Sequence, residues 1–268
     1  MQNKYTNLIN YLKELGSVVV AFSGGVDSTF LLKACEEALG ENARAVTIVS
    51  PFIPKWEIEE AKDLMKDINI KHEFIEVQLD EAIKFNPEDR CYICKTGIFS
   101  LIKNYAKENN FSYVLDGTNL DDTKDYRPGI KALRELEIKS PLLENSFTKA
   151  DIRNFSKELN LPTWDKPAYA CLLSRLPYGS EIKNSELERI EKAETYMMSL
   201  GFKEIRVRSH GDLARIEVNR NKRVLLFDEI LLDKITVKFK EFGFMFVTMD
   251  LQGYRVGSLN ETILDLEN

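Results

Sequence analysis

Ser23-Gly24-Gly25-Val26-Asp27-Ser28 concentrates the residue types that bind phosphate. A glycine pair lets backbone N–H groups come close to an anion, a following helix adds a favourable dipole potential, and serine hydroxyls supply further donors. The Walker loop carries a lysine before its final Ser/Thr, whereas Asp27 stands before Ser28 here, which argues against γ-phosphate transfer of that type. Ser50 and Gly117-Thr118-Asn119 are also suited to a nucleotide, although either segment alone reads equally well as a turn. Asp121 and Asp122 could cap a helix or approach a magnesium ion, and the cap is the expectation.

The cysteines form a second chemical group. Cys91 and Cys94 are three residues apart at the start of a helical pattern, which puts both thiols on one side where the helix dipole favours thiolate. Such a pair binds metal or cycles as a dithiol. The thioredoxin-like form belongs after the first strand of a compact βαβ unit, and this pair lies well downstream of the glycine loop, so ligation is preferred. Cys35 falls with Leu31, Ala34 and Ala38 on one apolar helix face and is expected in the core. That leaves Cys91, Cys94 and Cys171, which are either the ligands of an iron–sulfur cluster with one iron open or three unrelated thiols.

The elements that must position these groups follow from periodicity. Ser17 to Phe22 (SVVVAF) reads as a central parallel strand covered on both faces, leading straight into the glycine loop and a helix near 26 to 38. Strand-like runs at Ala43 to Val49, His72 to Val77 and Tyr113 to Asp116 alternate with helical patterns near 55 to 68 and 95 to 108. The alternation predicts an α/β fold with a doubly wound, mostly parallel sheet, whose carboxyl edge would hold Ser50 and Gly117-Thr118 beside the loop.

Thr148 and Asp151 form a capping-box pattern that predicts a helix from about Lys149 to Leu159. Trp164 to Gly179 carries two prolines and little periodicity, as a structured loop or linker would. Beyond it come a helix near 184 to 200, strands near Glu204 to Arg208 and Leu213 to Val218, helical segments to about 240 and a strand near Phe244 to Met249. The expected division is a domain over 1–165 and a smaller C-terminal α+β domain over 166–268, with the linker loop at 164–179. Glu204, Arg206, Arg208, Arg215 and Glu217 alternate with apolar residues, which gives either solvated strand faces or an anion-binding face.

At 268 residues with 44% hydrophobic and 30% charged residues, the chain is an ordinary globular one that needs no staple. A net charge of -6 with interleaved signs offers no basic face for nucleic acid. The N-terminal segment is amphipathic and mixed in charge, and no apolar run approaches membrane-spanning length, so a cytoplasmic location without membrane attachment is expected. The chain is also expected to form a homo-oligomer.

The string SGGVDS resembles the signature of the PP-loop ATP pyrophosphatases, which split ATP between its α- and β-phosphates and leave AMP on an acceptor. Asp165-Lys166-Pro167-Ala168-Tyr169-Ala170-Cys171-Leu172-Leu173-Ser174-Arg175, with Pro177-Tyr178-Gly179, resembles the central motif of the LarE-type sulfur transferases. Those PP-loop enzymes build the nickel-pincer nucleotide cofactor of lactate racemase. Asp125-Tyr126-Arg127-Pro128-Gly129, Val207-Arg208 and His210-Gly211-Asp212-Leu213-Ala214-Arg215 are similar to that family as well, so that the likeness runs from about Ser17 to Gly257.

The resemblance implies an adenine nucleotide alpha hydrolase-like fold that uses ATP with Mg2+. ATP would adenylate a carboxylate of pyridinium-3,5-biscarboxylic acid mononucleotide, and sulfide or another sulfur donor would turn it into a thiocarboxylate. It assigns the nucleotide to Ser23, Gly24, Gly25, Val26, Asp27 and Ser28, and the places of Ser50, Gly117 and Thr118 at the strand ends beside that loop make them nucleotide contacts as well. Arg206 and Arg208 become substrate-site residues, Arg175 a candidate for an anion near Cys171, and Glu194 a further candidate on the preceding helix. In members with a single cysteine matching Cys171, that residue gives up its own sulfur and is left as dehydroalanine. Cys91 and Cys94 depart from that pattern and imply the three-cysteine branch, in which a [4Fe-4S] cluster on Cys91, Cys94 and Cys171 carries the sulfur. The competing readings are sacrificial donation by Cys171, tRNA thiolation by a PP-loop enzyme, and a nucleotide-binding module without chemistry.

Overall fold

Val18, Val19 and Val20 are all buried, and alternate side chains on a strand point to opposite faces, so this short run must be covered on both sides. The structure, a computed structural model describing residues 2–124, 128–255 and 257–260, shows that covering. The strand β1 (Val18–Ala21) sends Val18 and Val20 into a core shared with Leu8 and Leu12 of α1 (Gln2–Leu15), Phe30 and Leu31 of α2 (Val26–Leu39), and Ala61 of α3 (Lys55–Leu64). Ile152 and Phe155 of α7 (Lys149–Glu158) complete that layer. Val19 points the other way, to Phe99 and Ile102 of α4 (Arg90–Glu108) and Leu133 of α5 (Pro128–Glu135). Each fully buried Leu or Phe contributes about 1.5–3 kcal/mol over an exposed one, so the two layers fix which way β1 faces.

The chain divides into two units, Met1–Ile83 with Asp89–Tyr169, and Lys84–Glu88 with Ala170–Asn268. Among the described residues the first unit holds an all-parallel sheet of β1, β2 (Ala43–Val49), β3 (Lys71–Glu76) and β4 (Tyr113–Leu115) in the order β3-β2-β1-β4. The chain builds outward from β1 to β3, then crosses to lay β4 on the free side of β1. This is the doubly wound α/β arrangement that the alternating pattern predicts. The sequence pattern does not anticipate α5 or α6 (Pro141–Glu144), since both are too short to show a periodic face. The helix expected to about 68 turns into a 3-10 turn at Met65–Asp67. Asp125, Tyr126 and Arg127 of the family-like motif lie outside the described residues.

The second unit is a smaller α+β body. Its strands β5 (Ile205–His210) and β6 (Leu213–Val218) pair antiparallel, and β7 (Phe246–Met249) runs parallel to β6. Helix α8 (Asn184–Ser199) buries Leu187, Ile190, Ala193 and Met197, and α9 (Glu229–Glu241) buries Ile235 and Phe239. Asn86, fully buried, serves this unit: its side-chain amide donates to the carbonyls of Leu176 at 3.0 Å and Pro177 at 2.9 Å. No helix among the described residues is long and apolar enough to cross a membrane.

Helix α7 opens on the capping box that the sequence pattern predicts. Thr148 Oγ1 accepts from Asp151 N at 3.2 Å, and Asp151 Oδ2 accepts from Thr148 N at 2.9 Å. Thr148→Ala is expected to lower stability by about 1 kcal/mol, read as a shift of the urea midpoint at unchanged slope.

Candidate functional site

The strand order turns between β1 and β4, which in such folds opens a crevice at the carboxyl edge of the sheet where ligands bind. The loop Ser23–Ser28 fills one side of it. Gly24 has a φ of +68°, a conformation that glycine adopts without cost, and Gly25 caps α2 with no side-chain hydrogen bond. The first N–H groups of a helix have no acceptor within it, so they face the crevice as donors. Ser28 Oγ donates to Gly25 O at 3.2 Å and lies 3.1 Å from Ser23 Oγ, which keeps both hydroxyls at the same place.

Gly117 closes the other side. A β-carbon there would stand 3.2 Å from Asp27 Cβ and 3.2 Å from Ser28 N, so glycine is what lets the loop after β4 touch the start of α2. Ser50, at the end of β2, is buried, and its hydroxyl has no partner among the described residues. That hydroxyl therefore keeps its hydrogen-bonding capacity unspent at the carboxyl end of β2. Val26 and Thr118 are buried within the same edge.

A carboxylate network braces the two loops. Asp27 accepts from Asn119 Nδ2 at 3.2 Å and pairs with the ammonium of Lys149, the first residue of α7. Asp121 accepts from the Lys149 N–H at 2.8 Å and Asp122 from the Asn119 N–H at 3.0 Å, so both acidic residues serve as caps. Asp116, buried at the end of β4, accepts from Ser140 Oγ at 2.5 Å and from Thr118 Oγ1. Burial pushes its carboxyl up from the ordinary value, against the pull of Lys95. Behind the loop, Thr47 Oγ1 donates to Phe22 O at 2.7 Å and meets His72 Nε2 at 2.7 Å, so a neutral His72 donates to Thr47.

In the second unit the central motif forms a turn held by buried charge. The Arg175 guanidinium, 1% exposed, grips Glu194 through two 2.9 Å bonds and donates to the carbonyls of Ala170 at 2.5 Å and Cys171 at 3.0 Å. Glu194 also accepts from Val207 N at 2.8 Å. Arg208 grips Glu217 at 2.9 and 3.0 Å and donates to Ser174 O at 2.5 Å. Arg206 lies 4.9 Å from the centre of the Tyr254 ring, and burial, reinforced by the charge of Arg175, holds its guanidinium below its ordinary value. Solvated strand faces therefore do not describe this sheet: Arg206, Arg208 and Glu217 are buried, and Arg208 and Glu217 pair with each other.

Cys35 is buried in the core of the first unit, where burial pushes its thiol up. Cys91, exposed, and Cys94, half-buried, lie in the first two turns of α4, and Cys171 is half-buried in the second unit. Among the described residues none of the four is in a disulfide. Among the same residues no group of three or more His, Cys, Asp or Glu side chains is gathered to hold a metal ion, so the structure lends the expected cluster no ligand set.

The model of the NAD synthase family matches residues 1–115, the part that holds β1 to β4 and the glycine loop. Over 98% of its length the chain is 37% identical to a pyridinium-3,5-bisthiocarboxylic acid mononucleotide synthase of Lactiplantibacillus plantarum, covering 96% of that protein. The chain belongs to the LarE-type family of PP-loop enzymes. An uncharacterised Synechocystis protein is 41% identical over 98% of the LarE-type chain and 99% of its own length. A subunit of the glutamine-hydrolysing GMP synthase of Thermoplasma volcanium is 29% identical over 60% of the chain and 56% of its own length.

Lys149 and Asn86 are the parts of this LarE-type framework that sequence reasoning misses, and Glu217 is read there as a strand charge without its Arg208 partner. Lys149 and Asn86 meet partners 122 and 90 residues away, and no spacing marks such contacts. Glu217 lies directly across from Arg206 in the β5–β6 register, a signal visible once the two strands are paired.

Two outcomes follow from the site. Glu194→Ala leaves the buried Arg175 charge without its carboxylate and is expected to cost about 3–5 kcal/mol in chemical denaturation. His72 is held down to about 4 by burial and by Lys62, from an ordinary 6.5, so between those values the unfolded chain takes up a proton that the folded chain refuses. Stability is expected to rise with pH across that window, and His72→Gln to remove that part of the slope in denaturation series at stepped pH.

Proposed function

We propose that this chain is an ATP-dependent sulfur insertase acting on pyridinium-3,5-biscarboxylic acid mononucleotide in the building of the nickel-pincer nucleotide cofactor. The observation that carries the reading is the close approach of Gly117 to the start of α2, which brings the two loops together where an anion would bind. Near-full-length likeness to a synthase of the bisthiocarboxylic product supports the choice of acceptor.

The chemistry needs activation before sulfur arrives. A carboxylate oxygen is a poor leaving group, whereas AMP departs readily. One substrate carboxylate oxygen attacks the α-phosphorus of ATP, the α–β bridge breaks and pyrophosphate leaves; a thiolate or hydrosulfide then attacks the acyl carbon and expels AMP. Ser23, Gly24, Gly25, Val26, Asp27 and Ser28 would hold the phosphates, with Ser50, Gly117 and Thr118 lining the rest of the nucleotide site. The orphaned Ser50 hydroxyl fits that role. Mg2+ would enter with the ATP phosphates, since it binds few protein carboxylates and keeps phosphate oxygens as ligands.

Cys171 is the proposed sulfur-site residue. Arg175 and Glu194 position its turn through the carbonyls of Ala170 and Cys171, Arg206 is the proposed cation for a substrate anion, and Arg208, engaged by Glu217 and Ser174, is proposed to hold the substrate site from behind. Cys91, Cys94 and Cys171 would be the ligands if a [4Fe-4S] cluster supplies the sulfur, a reading that rests on the departure from the single-cysteine pattern alone. Cysteines kept out of disulfides suit the reducing cytoplasm. A homo-oligomer is proposed on the exposed Phe227, Ile230, Met245, Phe246 and Leu251 of the second unit.

An anaerobic assay with ATP, sulfide and the pyridinium mononucleotide tests the whole reading, scored for pyrophosphate, AMP and thiocarboxylate. Cys171→Ser is expected to cut thiocarboxylate formation by about 100-fold or more while single-turnover pyrophosphate release changes less than about threefold. A wild-type chain that releases no pyrophosphate with this acceptor rejects adenylation. Protein that stays colourless and iron-free after anaerobic reconstitution rejects the cluster. Dehydroalanine at position 171 after turnover makes Cys171 the sacrificed donor.

A further inference from the structure

Between Thr163 and Tyr169 the chain has little regular secondary structure, yet side chains of the first unit tie it down. Arg153 of α7 donates to the carbonyls of Trp164 at 2.7 Å and Lys166 at 2.8 Å. The Lys166 side chain, 10% exposed, then reaches across to donate to Gly24 O at 2.8 Å and to Glu60 Oε2 of α3 at 2.8 Å. Its ammonium lies 6.0 Å from the centre of the Trp56 ring, and Trp56 meets Tyr169 edge-on at 4.9 Å. A largely buried ammonium thus serves a backbone carbonyl, and the carbonyl chosen is that of the glycine loop.

The target explains it. In a trans peptide the C=O and the following N–H lie on opposite edges of one plane, so holding Gly24 O on Lys166 aims the Gly25 N–H the other way. It points to Ser23 Oγ, 3.4 Å distant, on the side where the Ser23 and Ser28 hydroxyls gather. A peptide between two glycines is the easiest in a chain to flip, because neither neighbour has a β-carbon to resist. Flipped, it would present a carbonyl oxygen to the phosphate instead of a donor.

We infer that Lys166 is a positioning residue for the anion loop: it locks the Gly24–Gly25 peptide with its N–H toward the phosphates and does not itself touch them. This rests on the proposed ATP reading and deepens it, because Lys166 stands five residues before Cys171 in the same motif. The segment that leads to the sulfur-site cysteine thereby sets the polarity of the nucleotide loop.

Titration calorimetry of the full chain with inorganic pyrophosphate tests this, beside thermal unfolding of each variant. A charged donor to a carbonyl is worth enough that Lys166→Met should weaken pyrophosphate binding about tenfold or more, and Lys166→Arg, which can still donate, should recover most of it. Glu60→Gln breaks the ion pair yet leaves Lys166 on Gly24 O, and should bind pyrophosphate within about twofold of wild type. Lys166→Met that unfolds at the wild-type temperature and binds pyrophosphate as wild type does overturns the inference alone. Equal loss in Glu60→Gln and Lys166→Met assigns the effect to the ion pair and overturns it too. Wild-type chain that does not bind pyrophosphate overturns the ATP reading and this inference together.

Discussion

An α-helix starts with N–H groups that its own carbonyls cannot reach, and at α2 the N-cap residue offers no side chain to take them up. The first unit is organised around keeping that start bare. Asp27, in the first turn, would be well placed to serve the helix's own donors, but Lys149 and Asn119 engage its carboxylate instead. Gly117 removes the β-carbon that would stand against Asp27 and the Ser28 N–H, and the β3-β2-β1-β4 order puts the opening where neighbouring loops diverge. Under the proposed ATP reading an anion completes that helix start, and the missing bonds are the affinity of the site.

Buried charge does a comparable job in the second unit by different means. Taking Arg175, Glu194, Arg208 and Glu217 out of water is penalised by several kcal/mol per ion, and apolar residues would fill the volume without that penalty. Apolar residues could not, however, hold the carbonyl oxygens of Ala170, Cys171 and Ser174. The two carboxylate-bound guanidinium groups turn their remaining donors on that segment, so its backbone is set by directional bonds and not by packing alone.

What the sequence discloses follows from how local each cause is. SGGVDS is legible because its meaning lies in six consecutive residues between an apolar run and a helix, and the same holds for the Thr148–Asp151 cap. Cys35 is legible from its helical neighbours. Arg206 and Arg208 are legible as alternating charges but not as buried ones, since that depends on Glu217 and on the helix laid over β5. Lys149 and Lys166 are invisible as site residues, for a lysine carries no pattern that names a partner 122 or 142 residues away.

The insertion of Lys84–Glu88 into the second unit has a consequence for how the protein is made. Asn86 leaves the ribosome 87 residues ahead of Leu173, whose turn supplies the carbonyls that its amide requires. At usual synthesis rates that gap is on the order of ten seconds. During it the nascent first unit carries a loop whose polar side chain has no folded counterpart, so the second unit cannot close before synthesis has passed the central motif. Genes for the two units joined end to end would not reproduce this order, because the earlier gene holds a piece of the later fold.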